Sequence, residues 1–332
     1  MHQSGSSSCL IGSSLAPKAW ASAQAFFVSF RTWYISGIFA ATKNDYDMRL
    51  ITSNEQLDAL LPNIQVTVTG ETPIFDKLSP FLAATEKWLI ETFTSDRTFS
   101  TICGYAEENP TKVLARQIVC YEAFRRALPH LDVILTPNGF GIVNNQNIVP
   151  ASKERINRLL DTLLENRDAA LLQFIPLLYA ASQWNKSEQC KFFAATMFPN
   201  MEVTLRLPKP SEGRWMLYLA IREKAIVIEQ FFAAQYLSVE LMDVLRSEVQ
   251  SGQYRSMLHQ RICRTLQAVE IRCLQSTDPT AWMHFEHQAL FDIVNTIKDN
   301  PEEFPEWHSS KVAEIYNPTI FENKKESKGF WF

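Results

Sequence analysis

Residues 129–160 set two short apolar β-forming runs, Val133-Ile134-Leu135 and Phe140-Gly141-Ile142-Val143, between two strong helix signals. Pro137-Asn138-Gly139 separates the runs and supplies a preset φ followed by residues that tolerate positive φ, as a tight reversal demands. This pattern predicts a β-hairpin at 132–143 projecting from a helical body. Asn138, Gly139, Phe140, Gly141 and Ile142 would stand at its tip, where a projecting hairpin suits docking on another protein.

The flanks are helical by periodicity. Pro73 to Thr94 carries Phe75, Leu78, Leu82, Trp88, Leu89 and Phe93 near helical spacing, with Glu86, Lys87 and Glu91 read as outward-facing. Asn109 is placed to cap a helix whose first residue is Pro110 and whose stripe is Val113, Leu114, Ile118, Tyr121, Phe124 and Leu128, with Pro129 as its stop. Ser152 is placed to cap a long helix that Pro176 should kink or end. The second half begins again in a similar order. The helix at 215–236 carries Ile228-Glu229-Gln230-Phe231 where the earlier one carries Ile90-Glu91-Thr92-Phe93, and each is followed by a short helix and a long one. Two degenerate helical repeats and two generic amphipathic hairpins both fit this echo, because periodicity alone generates matches. The fold class expected is therefore mainly α, one or more helical bundles with a single β-hairpin. Its divisions would be an extension at 1–47, helical domains at 48–183 and 184–317, and a tail at 318–332.

The two ends differ from the middle. Residues 1–44 contain no Asp or Glu, and an apolar run at 19–41 is interrupted by Arg31 near its centre, which is costly for a membrane span. Met48 opens a well-formed domain start, with Thr52 and Glu55 at capping-box spacing, so the first 47 residues read as an extension and no membrane contact is expected. At the other end, a charged spacer leads to Phe330-Trp331-Phe332, three aromatics that would form an apolar anchor for a partner.

Composition and motifs narrow the function classes. With 46% hydrophobic and 20% charged residues, disorder throughout is excluded. A net charge of −4 offers no footprint for nucleic acid. Six cysteines without a CxxC pair read as reduced core thiols. His284, Glu286 and His287 form the one dense group of metal-capable side chains, but the spacing lacks a further ligand and reads as a helix-end cluster. Gly139-Phe140-Gly141 lacks the third glycine and the βαβ unit of a dinucleotide loop. Cys120 with His130 is a nucleophile and base only in outline, since Cys120 falls mid-helix beside Val119. No catalytic, cofactor or metal residues are therefore expected.

The wording of the chain adds a resemblance. The segment from Asp132 to Arg158, the opening at Met48, the run Cys190-Lys191-Phe192-Phe193-Ala194-Ala195-Thr196-Met197-Phe198-Pro199-Asn200 and the ending Phe321-Glu322-Asn323-Lys324-Lys325 resemble a prophage-encoded family, domain of unknown function 6712. The first half is also similar in architecture to the helical head-tail adaptor proteins of tailed phages. These resemblances imply a virion structural protein made in the bacterial host cytoplasm, forming a homo-oligomeric ring that docks on portal and tail proteins. A metal-dependent enzyme using His284, Glu286 and His287, or a prophage interaction scaffold outside the virion, are the alternatives.

Overall fold

The structure is a computed structural model that describes residues 49–61, 73–131, 134–136, 139–141, 152–276 and 286–318. The chain divides into two units, Met1–Arg49 and Leu50–Phe332, and every described residue except Arg49 belongs to the second. The helices are α1 (Asn54–Leu60), α2 (Ile74–Leu89), α3 (Asp96–Cys103), α4 (Pro110–Leu131), α5 (Lys153–Leu178), α6 (Glu188–Ala194), α7 (Arg214–Phe232), α8 (Val239–Ser251), α9 (Met257–Gln275), α10 (His287–Lys298), α11 (Pro305–His308) and α12 (Lys311–Tyr316). Short 3-10 turns occupy Trp184–Lys186 and Met201–Arg206. Among the described residues, no helix is long and apolar enough to cross a membrane.

The fold is mainly helical, and the projecting β-hairpin expected at 132–143 is overturned as a part of it. Among the described residues, backbone pairing there is Ile134–Thr136 against Gly139–Gly141, three residues a side, with Leu135 opposite Phe140. Such a stretch is too short to stand as an independent β element, since even a full isolated hairpin is marginal in water. The local β preference of the apolar run has no larger sheet to join among the described residues.

Caps follow the sequence closely, with local shifts. Asn109 Oδ1 accepts from the Thr111 backbone N–H at 2.9 Å, and Ser152 Oγ from that of Arg155 at 3.4 Å. The start of α1 lies one residue later than the Thr52 spacing suggests: Ser53 is the cap residue, while the side chain of Gln56 accepts from the Thr52 N–H at 2.8 Å. Pro129 and Pro176 each lie inside the last turn of their helices, α4 and α5. A proline near a helix C-terminus costs one internal hydrogen bond and permits one or two further residues.

The helices form two copies of one module. Each begins with a clamped backbone residue, Leu50 or Met197, and passes through a short helical turn into a long helix, α2 or α7. Each long helix runs into a five-residue π turn, Ile90–Thr94 or Ala233–Leu237. A serine at positive φ then reverses the chain, Ser95 (φ 70°) or Ser238 (φ 76°), and its backbone N–H donates at 2.9 Å to the carbonyl of Ile90 or Ala233. Next come a shorter helix (α3, α8), a long helix (α4, α9) and a further helix (α5, α10). Finally a tryptophan indole donates to the carbonyl at the π turn: Trp184 to Phe93 at 2.6 Å, Trp307 to Tyr236 at 2.8 Å. Three residues on, Ser187 and Ser310 each donate to that tryptophan's carbonyl, at 2.7 and 2.6 Å, and cap the module's last helix.

From α2 to α3 the second copy follows the first by 143 positions, as Glu229 follows Glu86. Leu78, Leu89, Phe93, Phe99 and Ile102 and their counterparts Ile221, Phe232, Tyr236, Met242 and Leu245 are all buried. The register differs from the one suggested by Ile90-Glu91-Thr92-Phe93 against Ile228-Glu229-Gln230-Phe231 by five residues. Five residues displace the match by roughly 140° around a helix, so that alignment paired an outward residue with a buried one.

Two apolar cores result, and α7 belongs to both. Trp215, Tyr218, Ile221 and Ala225 lie in the first core, and Ile228 and Phe232 in the second. Gly213, at φ +90°, makes the entry to α7 possible. A Cβ there would meet Asp168 Oδ2 at 2.6 Å and the Leu164 side chain at 3.1 Å.

Candidate functional site

The tip residues Asn138 and Ile142, and the terminal Phe330, Trp331 and Phe332, lie outside the described residues. Gly139, Phe140 and Gly141 are described only as backbone of the short pairing, and their side chains also lie outside. His284 likewise falls outside. Glu286 grips Arg272 in a two-bond pair (2.8 Å to Nε, 2.7 Å to Nη2), and His287 Nδ1 lies 2.7 Å from the Tyr236 hydroxyl. These side chains are thus committed to protein partners on α9 and the second π turn. Among the described residues, no group of three His, Cys, Asp or Glu side chains is arranged to hold a metal ion.

The described cysteines are free, and all but Cys103 are buried. Burial pushes the Cys120 thiol up to about 12, which leaves it protonated and a poor nucleophile. His130, its imagined base, packs its ring at a tilt against Phe81 with centroids 5.4 Å apart.

The charged side chains that the periodicity did not single out are buried in the module interiors. On α4, Glu122 is fully buried and accepts from Arg125 (2.9 Å), Arg126 (2.7 Å) and Arg167 of α5 (2.8 Å). Burial alone would raise its carboxyl; the Arg167 charge, with Arg125 and Arg126, outweighs that and holds it well below the usual carboxylate range. Arg167 also pairs with Asp168 at 2.6 Å, and Arg126 and Arg167 both lie over the Trp88 ring. The other Asp168 oxygen accepts from the Arg214 backbone N–H at 2.5 Å, joining the first module to the start of α7.

A second cluster centres on Glu229 of α7. Its carboxylate accepts from the Met197 N–H at 2.7 Å and from Arg246 of α8 at 2.6 Å. Glu270 of α9 faces it and is fully buried. Burial, then the neighbouring Glu229 charge, raises the Glu270 carboxyl well above the usual range, so Glu270 is the protonated member of the pair. The first module has the matching Glu86, whose Oε1 accepts from the Leu50 N–H at 2.8 Å. A third cluster holds His259, with Nδ1 at 3.0 Å from Glu248 Oε2 and Nε2 at 3.1 Å from the Glu303 carbonyl, its ring stacked on Phe304. These acids and cations clip helix to helix. The signal for them in the sequence is an acid recurring on the apolar stripe of its helix, as Glu122 does between Val119 and Ala123.

An open groove of about 810 Å3 lies between the 3-10 turn at Met201–Arg206 and α9. Val203, Leu205, Ala268 and Ile271 supply apolar lining and Glu202, Arg206 and Arg264 a charged rim. Leu205 is 57% exposed. The mixture suits contact with a polypeptide segment better than activation of a small molecule, because the perturbed acids described above are not among its lining residues.

Residues 60–194 match the model of a family of unknown function, DUF6712. The match begins at the last residue of α1 and stops at the last residue of α6. It therefore covers the first module from the end of α1 onward and ends just before Met197, where the second opens. No curated protein and no solved structure matches the chain.

Proposed function

We propose that this chain is a phage or prophage virion structural protein, a head-tail adaptor subunit that takes its place in a ring at the portal. The observation that carries the reading is the tandem build of the chain. One helical module docks end-on to another copy of the same architecture, through α7 and the Asp168–Arg214 contact, so a module surface already serves as a receptor for protein. A heterologous contact of that kind, one patch meeting a different patch, is what ring closure requires. Supporting it are the likeness of residues 60–194 to a family that the sequence wording associates with prophages, and buried charges spent on helix-to-helix clips.

The test is genetic. Deleting the reading frame from its prophage and inducing lysis should release filled heads without tails, visible by electron microscopy and restored by supplying the chain in trans. Normally tailed, infectious particles from the deletion strain would refute the proposal.

A further inference from the structure

The joint between the two modules has a counterpart in the second module that no described residue fills as α7 fills the first. In the first module the receiving surface for α7 is made by Asp168 on α5 and by Phe192 and Phe193 on α6. Asp168 accepts from the Arg214 N–H, the Arg222 guanidinium lies 4.0 Å over the Phe192 ring, and Phe193 stacks on Tyr218 at 5.7 Å. The second module repeats this end of the first 123 positions later, as Trp307 follows Trp184 and Ser310 follows Ser187. Its residues at the receiving positions are Phe291, Ile315 and Tyr316.

These three form a connected apolar face. Phe291 is 38% exposed and Ile315 67%, and the rings of Phe291 and Tyr316 meet edge-on at 5.7 Å. Isolated exposed apolar residues need no explanation, but apolar residues at the very positions that another module covers elsewhere in the same chain do. The position that is a charged Asp168 in the occupied joint has become a phenylalanine, a change that favours burial against protein.

The matching insertion edge exists on the first module. There α2 stands where α7 stands in the second, and Phe75 and Ser79 occupy the positions of Tyr218 and Arg222. Phe75 is half-buried at the start of α2, next to exposed Asp76 and Lys77.

We infer that the face of Phe291, Ile315 and Tyr316 receives the α2 edge carrying Phe75 and Ser79 of a second copy of this chain, repeating between copies the contact that joins the two modules within one. The occupant is a second copy because the structure contains the template for that contact. The contact is head-to-tail, so every pair still presents one receiving face and one α2 edge to further copies and propagates to a ring or filament. The inference specifies the copy-to-copy contact of the ring proposed above and rests on that reading for its biological setting. Its test is independent of particle assembly.

Sedimentation of the purified full-length chain should show a mass that rises with concentration. The double variant F291E/I315E should weaken this self-association by about thirtyfold or more, and Ile315→Glu alone, at a residue 67% exposed, should weaken it while keeping the wild-type melting midpoint. Phe291→Leu with Ile315→Val should retain it. In a second experiment, one preparation carries Ile315→Cys and another Ser79→Cys, and the two are mixed with a short bismaleimide. A cross-linked dimer formed only from the mixture supports the contact. A chain that stays monomeric at every concentration, an F291E/I315E variant that associates normally, or no cross-link specific to the mixture would each overturn it. Particles lacking tails alongside a monomeric chain would leave the adaptor role standing and remove only this contact.

Discussion

The two modules hold the same backbone residue by different means. In both, a glutamate on the helix before the π turn accepts from one backbone N–H, Leu50 for Glu86 and Met197 for Glu229. A side chain of the long helix then donates to the carbonyl of the same residue, at 2.7 Å in both. In the first module that donor is the cation Arg116, which also pairs with Glu107. In the second it is the neutral Gln267, and the cation has moved to Arg246 on α8, where the first module has Cys103. The geometry of the clamp survives while its charge compensation relocates. Hydrogen bonds to one N–H and one carbonyl demand fixed directions, whereas a countercharge acts over several ångströms from any side.

The largest difference between the modules should appear on removing a buried acid. Glu122→Gln in the first module removes the buried charge shared by Arg125, Arg126 and Arg167, leaves Arg167 with Asp168 alone, and should cost about 3 kcal/mol in denaturant unfolding. Glu270→Gln in the second replaces a protonated acid by a neutral amide and should cost less than about 1 kcal/mol. Equal losses would show that Glu270 is ionised and break the contrast.

The equivalence of the modules is sharpened next by their tryptophans. Trp184→Phe and Trp307→Phe each remove an indole N–H from a buried carbonyl and should each cost about 2 kcal/mol. Calorimetry that finds one substitution silent would mean that the two π turns are not held alike.

A smaller effect, of opposite sign, is expected at the reversals. Ser95 and Ser238 adopt φ 70° and 76° with ψ near 157° and 156°, a region that only glycine occupies without cost. Ser95→Gly should therefore stabilise by about 1 kcal/mol. Ser238→Gly should gain less, because the Ser238 hydroxyl accepts from the Leu241 N–H at 3.2 Å and Ser95 has no such cap. Thermal melts of the two variants that rank the other way would refute this assignment of strain.

The smallest effect is in the pH profile. Glu270 titrates above the ordinary carboxylate value of 4.5 when folded, so its contribution is full below that value and is lost as the pH rises through the raised one. Glu122 titrates below it, so its contribution is present above 4.5 and lost as the pH falls. Glu270→Gln should flatten the loss on the alkaline side and leave the acid limb unchanged. An unchanged alkaline limb would place the buried proton elsewhere.

Much of this was legible along the chain. Apolar spacing located α2, α4, α5, α7 and α9, and Asn109, Pro110 and Ser152 marked two helix starts, because spacing and capping act within a few residues of one another. The echo between the halves was visible too, but in the wrong register, since any two amphipathic helices match at several offsets. Glu86 was read as outward-facing, yet it clamps Leu50, a residue 36 positions away that no local pattern connects to it. The apolar run after α4 read as a hairpin because β preference is also local, while a lasting β element needs neighbours that the helical fold does not place beside it.

The order of helices, their caps and their buried stripes were thus settled by neighbours along the chain. The pairing of the modules, the proton held by Glu270 beside Glu229, and the exposure of Phe291 and Ile315 at positions covered in the first module were decided by packing alone. The reason is that burial, countercharge and docking depend on what lies across space, and an amphipathic helix of given sequence buries its stripe equally well against its own chain or against another.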